Sequence, residues 1–257
     1  MFQRNKKIVV VVPCYNEALG IQKVLKAFPH KDFSKIKWCL EVIVVDNNST
    51  DDTGKIAEEH GASVLVEKMQ GKGHALLSGL KNIPDDASYV VMIDGDNTYH
   101  PKELLRMIEP LDSGFCDAIL GSRIQGKMKE GSMNITSRIG NWMFSFLVRY
   151  LYKSNVTDVL TGYFAWKKEA LDLLLPHIKS TGFEVEMEMI TKMSRLGMEV
   201  YSVPISYHPR MGQSKLNHFK DGLIIMKTLF SNLNWSPQKD NDTTRPEPYR
   251  HFAPKVA

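Results

Sequence analysis

YVVMIDGD, residues 89–96, runs five apolar residues straight into two carboxylates. An unbroken apolar run of that length, closed by turn residues, predicts a strand buried on both faces, as in a parallel sheet. KIVVVVP (7–13) and LEVIVVD (40–46) repeat the arrangement, and 62–66 and 118–120 supply two further strands. Between them lie helical stretches at 17–28, 51–60, 73–81 and 101–108, with Gly61 closing the second and Pro101 opening the fourth. Strand and helix alternate four times at short spacing. That predicts an α/β fold, Rossmann-like, with a mostly parallel sheet sandwiched by helices. In such sheets ligands bind beyond the carboxyl ends of the strands. The polar clusters at 13–17, 46–52 and 94–100 all fall there.

The second half is more helical, with helices expected at 135–151, 184–196 and 223–230 and a late strand at 199–203. Residues 1–235 read as one domain. Residues 236–257, rich in proline and charge without apolar periodicity, read as a flexible tail.

The chain has 257 residues, 43% hydrophobic and 24% charged, which excludes disordered, collagen-like and coiled-coil classes. Thirty-three basic against 29 acidic side chains leave a net charge of +4. That balance points away from nucleic acid and suits anionic small molecules or an anionic membrane surface. Cys14, Cys39 and Cys116 have no metal-ligand spacing and no disulfide pattern. Cys14 and Cys116 flank apolar runs and read as buried small hydrophobes in a reducing compartment. The apolar run at 8–12 is too short for a signal-peptide core, and no stretch reaches the roughly 18 apolar residues that span a bilayer. The expected location is cytoplasmic, soluble or peripheral on the cytoplasmic face of a membrane.

Asp94 and Asp96, two residues apart with Gly95 between them, can present oxygen to one hard divalent cation, Mg²⁺ or Mn²⁺. The alternative is a solvated turn. Asp46, at a strand end, can accept from a nucleobase or a ribose, leaving Ser49 or Asp51 to cap the next helix. Gln70-Gly71-Lys72-Gly73 opens a helix, so its N–H groups and Lys72 can meet an anion; a plain loop-to-helix junction reads equally well. Arg123 follows the fifth strand and Arg138 opens the aromatic helix. Arg210 and Lys215 sit in a Gly-containing loop, which reads as a diphosphate lid or as a solvated basic loop.

In this order the chain resembles the family 2 glycosyltransferases of GT-A fold, and within them the dolichyl- and polyprenyl-phosphate sugar synthases. The resemblance is carried by VVPCYNE (11–17), VVDNNSTDDT (44–53), GKGHAL (71–76), MIDGDNTYHP (92–101), GSR (121–123), DVLTGYFAW (158–166), GFEVEMEM (182–189), VPISYHPR (203–210) and GQSKL (212–216). It implies that Pro13, Tyr15, Glu17 and Asp46 line the nucleotide pocket. Asp94 and Asp96 would be the DxD pair holding the metal on the donor diphosphate. Arg123 and Arg138 would hold the acceptor phosphate, Asp158 would sit near the sugar, and Arg210 and Lys215 would close over the donor. Asn47, Thr98 and Phe164 depart from the family's usual Asp, Gln and Arg.

The implied reaction is inverting transfer of a hexose from a nucleotide sugar, UDP-hexose ahead of GDP-mannose, to a polyprenyl or dolichyl phosphate. A phosphate acceptor is already ionised near neutral pH and needs no strong base; a hydroxyl acceptor would need one, and Asp158 is the candidate. Trp142, Phe144, Phe146, Leu147, Tyr150 and Leu151 suit either a membrane interface or a core. Three rivals stay open: transfer to a soluble or glycan hydroxyl, a non-catalytic nucleotide-sugar-binding module, and a nucleotidyltransferase.

Overall fold

The structure is a computed structural model and describes residues 5–212 and 214–237. Seven strands form one sheet: β1 (Lys7–Cys14), β2 (Cys39–Asp46), β3 (Ser63–Val66), β4 (Tyr89–Ile93), β5 (Ala118–Met128), β6 (Tyr163–Lys167) and β7 (Val200–Tyr207). Their order is β3-β2-β1-β4-β6-β5-β7. Every pairing is parallel except those of β6, which runs antiparallel between β4 and β5.

The side-chain alternation of a strand explains the layers. Ile8, Val10 and Val12 of β1 face one core, with α1 (Ala18–Ala27), α2 (His30–Lys35), α3 (Thr53–Glu59) and α5 (Leu104–Asp112) packed on it. Val9 and Val11 face the other core, covered by α4 (Lys72–Lys81), α6 (Ile135–Tyr152), α7 (Lys168–Leu174), α8 (Val185–Arg195) and α9 (His218–Ser231). Cys14 and Cys116 are buried among these side chains, as their sequence context predicts, and Cys39 is exposed.

The expected helix at 101–108 is a 3₁₀ turn, Pro101–Glu103, followed by α5. β5 runs to Met128, β7 continues through Pro204 to Tyr207, and α9 starts at His218, each longer than its apolar run. α2, β6 and α7 have no sequence-based counterpart above. Most of the expected tail, from residue 238 on, lies outside the described residues. Among the described residues no helix is long and apolar enough to cross a membrane.

Candidate active site

β1 and β4 are neighbours, but the chain leaves β1 toward β2 and reaches β4 from β3. Their carboxyl ends therefore flank the point where strand order reverses, where a doubly wound sheet opens a crevice. The turns after β1, β2 and β4 each place an asparagine in the left-handed region: Asn16, Asn48 and Asn97, at φ 53, 60 and 62°. Asparagine tolerates that conformation because its short amide bonds locally. The first two turns are laced together. Asn16 N–H donates to Ser49 Oγ at 3.0 Å, Glu17 N–H to Thr53 Oγ1 at 2.9 Å, and Ala18 N–H to Asp51 Oδ2 at 3.2 Å.

A cavity of about 240 Å³ fills the crevice. Pro13, Tyr15, Glu17, Lys72, Asp94, Gly95, Asp96, Arg210 and Lys215, nine of the residues singled out from sequence, line it. A second cavity, of about 540 Å³, lies between α6, α9 and the sheet rim. Lys72, Asp94, Phe183 and Arg210 border both.

Asp96 is buried. Its Oδ1 accepts from the Thr98 N–H and hydroxyl at 2.9 and 2.6 Å, which fixes its rotamer. Its Oδ2 makes no hydrogen bond and has the charge of an Arg210 guanidinium nitrogen 2.7 Å away. Asp94 fits only because residue 162 is glycine: a Cβ there would collide with the Asp94 carboxylate. The antiparallel β6 brings Gly162 to this rim, and the Gly162 carbonyl accepts the Asp94 N–H at 3.2 Å.

Lys72 is the hinge of the wall between the cavities, 2.9 Å from Asp94 and 2.5 Å from Glu186. Burial opposes its charge, but the two carboxylates outweigh burial and hold the ammonium above its ordinary range. Glu186 is 4% exposed, and its Oε2 has no partner. The arrangement is set by Gly71, at φ 143°, whose N–H donates to Asn47 Oδ1 at 2.7 Å; a side chain there would strike the Thr181 carbonyl. Glu17 is pushed up to about 7 by burial, against the pull of Lys215 at 2.6 Å.

The loop after β7 closes over the metal-type turn. The His208 N–H bonds the Thr98 carbonyl at 2.9 Å and the Met211 N–H the Asp96 carbonyl at 3.1 Å. Arg210 and Lys215 thereby reach Asp96 and Glu17.

Three expectations fail on geometry. Asp158, the candidate base, is fully buried and saturated. Its Oδ2 accepts from Arg123 N and Nε at 2.8 and 2.7 Å, and its Oδ1 from an Arg123 guanidinium nitrogen and Asn141 Nδ2, both at 2.7 Å. No oxygen is left to take a proton, and Asp158 lines neither cavity. Its partner Arg123 does border the second cavity, but with its charge spent on Asp158. Arg138 is exposed and lines neither cavity, because the helix turns it outward. Asp46 lines neither: it accepts the Ser49 N–H at 2.9 Å, and Asn47 holds the cavity wall instead. Ser49 spends its hydroxyl on Asn16, while Asp51 takes the Thr53 N–H at 3.0 Å, at the start of α3.

Glu186 and Phe183 were not picked out individually from GFEVEMEM. The available signal was an ionisable residue among Val185, Met187 and Met189, on a helix whose residues 185–193 are all buried.

The residues present fit a divalent cation. Asp94 and Asp96 offer hard oxygen, and Asp96 Oδ2 is a buried acceptor balanced by the Arg210 guanidinium. Among the described residues no cluster of three or more His, Cys, Asp or Glu side chains could hold a metal ion. An ion here would complete its shell with ligand oxygen and water, as Mg²⁺ and Mn²⁺ do beside phosphates.

The sequence model of Glycosyl transferase family 2 matches residues 9–175. Glycosyltransferase AglJ of Haloferax volcanii is 33% identical over 226 residues, covering 87% of this chain and 71% of AglJ. The low-salt glycan biosynthesis hexosyltransferase Agl6 of the same organism is also 33% identical, over 83% of this chain and 50% of its own length. The chain thus spans about half of that relative. Among solved structures, glucosyl-3-phosphoglycerate synthase from Mycobacterium tuberculosis, in complex with phosphoglyceric acid, superposes with a TM-score of 0.68 at 24% identity. The match covers 91% of this chain and 82% of that one, and establishes the GT-A fold.

Proposed function

The chain belongs to the family 2 glycosyltransferases, and we propose that it moves a hexose from a nucleotide sugar to the phosphate of a polyprenyl or dolichyl lipid. Residues 1–235 form the catalytic domain in this reading, working peripherally at a membrane. UDP-hexose is the favoured donor, in keeping with the UDP-glucose complex of the mycobacterial synthase, with GDP-mannose the alternative.

One observation carries the lipid-phosphate acceptor: the second cavity is amphiphilic. The wall it shares with the first carries Lys72 and Arg210, and the wall built by α6 and α9 carries Phe144 and Ile225. A phosphate on a hydrocarbon chain has the same polarity along its length. The mycobacterial synthase, by its name, also acts on a phosphorylated acceptor.

The chemistry follows from the residue positions. The nucleotide lies against Pro13, Tyr15 and Glu17, and its diphosphate faces Arg210 and Lys215. Mg²⁺ or Mn²⁺, held by Asp94 and Asp96, would neutralise charge developing on the leaving diphosphate. An acceptor phosphate oxygen attacks the anomeric carbon as the bond to the diphosphate oxygen breaks, with inversion. A phosphate monoester is largely ionised at neutral pH, so the protein's contribution is alignment. Lys72 holds Asp94 and Glu186 in place on the wall between donor and acceptor.

A second reading has one observation in its favour. Glu186 Oε2 is buried, unpartnered and borders the acceptor cavity, and burial raises its affinity for a proton. A hydroxyl acceptor would find its base there, in place of Asp158. The test is transfer with Mn²⁺, dolichyl phosphate and labelled UDP-glucose, UDP-N-acetylglucosamine or GDP-mannose in parallel. Label entering the organic phase, and lost in Asp96→Ala, supports the lipid reading and names the sugar. No lipid label with any donor, while a donor is still hydrolysed and hydrolysis falls in Glu186→Gln, moves the assignment to a hydroxyl acceptor.

A further inference from the structure

α6 and α9 each carry an apolar stripe that nothing in the described chain covers. On α6 the stripe is Ile135, Ile139, Trp142, Phe146 and Tyr150, spaced three and four apart on one helical face; Trp142 is 62% exposed and Tyr150 75%. The rings of Trp142, Phe146 and Tyr150 stack in succession, with centroids 6.0 and 6.3 Å apart. On α9, Phe219, Leu223 and Phe230 form the matching stripe, Phe219 being 78% exposed. Neither helix needs these residues for its own packing. α6 already buries Phe144, Val148 and Tyr152, and α9 buries Ile225 and Leu229.

The charges beside the stripes have one sign. Arg138 and Arg149, eleven residues apart, share one edge of the α6 stripe, and Lys220 and Lys227, seven apart, share one edge of the α9 stripe. All four are exposed. α6 contains no acidic residue, and the single acid of α9, Asp221, accepts the Asn217 N–H at 2.7 Å at the start of its own helix. Four basic side chains against one acidic give these two helices a net +3 of the chain's +4.

We propose that the outer faces of α6 and α9 form a docking surface for an anionic lipid bilayer. Exposed aromatic rings and aliphatic side chains edged by Arg and Lys suit the boundary between headgroups and acyl chains. A second copy of the chain fits less well, since a two-fold contact would set the same basic edges against each other. The neighbouring faces of the same helices, at Thr136, Gly140 and Gly222, line the second cavity. Docking therefore brings the acceptor cavity to the membrane surface. That use of the surface rests on the lipid-acceptor reading; the docking itself does not.

The experiment is flotation with phosphatidylcholine vesicles, alone or with about 30% phosphatidylglycerol, without donor or acceptor. Trp142 reports insertion directly, because Trp38 and Trp166 are buried and Trp235 is half-buried. The expected result is binding to anionic vesicles, with a blue shift and reduced quenching of tryptophan emission. Trp142→Phe should lose the optical signal and keep flotation. Trp142→Glu with Phe146→Glu should lower vesicle partitioning by at least about tenfold while the thermal midpoint holds. Replacing Arg138, Arg149, Lys220 and Lys227 by Gln should abolish the preference for phosphatidylglycerol. Failure to float with anionic vesicles overturns the proposal, as does a solution dimer that Trp142→Glu splits. Flotation without any lipid-linked product leaves docking standing and removes the lipid-acceptor reading. Lipid-linked product in detergent without flotation does the reverse.

Discussion

Replacing Asp158 by asparagine separates a structural carboxylate from a catalytic one. The carboxylate accepts four hydrogen bonds, three of them from Arg123 and one from Asn141. Asparagine has the same shape but offers one acceptor atom, and its amide would point a donor at donors. Two of the four bonds lose their acceptor, and the buried Arg123 charge loses its counterion. Breaking a buried ion pair from one side costs about 3–5 kcal/mol. At roughly 2–4 °C per kcal/mol for a domain of this size, the thermal midpoint should fall by about 6–20 °C. Activity should fall with it, since Asp158 ties β5 to α6 across the acceptor cavity. The pH profile of kcat should keep its shape. Urea unfolding and calorimetry measure the first effect, and kcat against pH the second. The double variant Arg123→Gln, Asp158→Asn should be less destabilised than the two single changes added together, by about 1–3 kcal/mol. A general base would behave differently: an unchanged midpoint, a kcat about a hundredfold lower or worse, and loss of the acidic limb of the profile. That outcome would refute the structural assignment.

Gly162→Ala should leave the fold intact but displace Asp94, lowering kcat/KM at least about tenfold and raising the Mn²⁺ concentration for half-maximal activity. Glu188 accepts the Lys179 and Ser180 N–H groups at 2.9 and 2.7 Å and pairs with Lys192 at 2.5 Å. Glu188→Ala should therefore destabilise the protein by about 3 kcal/mol in urea unfolding. Burial pushes the Glu188 carboxyl up, but Lys192 and the two N–H groups outweigh it and hold it below its ordinary 4.5. Its contribution should be present above that value and vanish as the pH falls through the lower folded value. Glu17 runs the other way: its folded value of about 7 lies above the ordinary 4.5, so stability is lost as pH rises from about 4.5 through about 7. Titration of unfolding free energy should show a decline of at most about 3 kcal/mol across that window in the wild type, and a flatter curve in Glu17→Gln. Arg210→Ala should weaken UDP binding about ten- to a hundredfold by calorimetry, and the thermal midpoint should fall, because the buried Asp96 carboxylate loses its counter-charge.

The parts of the fold legible in the sequence are those where local pattern and tertiary role agree. β1, β2 and β4 are buried on both faces, so their apolar runs end where the strands end, give or take a residue. β6 escaped because YFAWK, with one antiparallel neighbour on each side, is too short to announce itself between a polar loop and a helix. α9 extends before its apolar run because its first turn, His218 to Asp221, holds one apolar residue, the exposed Phe219, among polar ones, and its boundary is set by Asn217 accepting the Lys220 N–H at 3.0 Å. The strand-end carboxylates were legible for the same topological reason, and nine candidates meet in one cavity. The misjudged residues share a cause. A carboxylate or guanidinium in a motif advertises its charge but not its partner, and Asp158 and Arg123 turn out to be each other's partner. Arg138 comes from the resemblance, which does not say which face of α6 the residue occupies.

The charge balance of the site says why metal and donor should enter together. Four carboxylates, Glu17, Asp94, Asp96 and Glu186, meet three cations, Lys72, Arg210 and Lys215, in two neighbouring ion-pair groups on the cavity wall. A donor diphosphate alone would add negative charge to a cluster that already carries an excess. A divalent ion alone would have to displace Arg210 from Asp96 with no anion to receive the released guanidinium. With both present, Arg210 and Lys215 could pair with the diphosphate while Asp94 and Asp96 would hold the ion, so that no buried charge need be left unpaired. In the proposed reaction, the loop that pairs with Asp96 and Glu17 would then serve as the clamp on the donor. The register of β7, which ends beside Thr98 and Asp96, is what makes one loop able to do both.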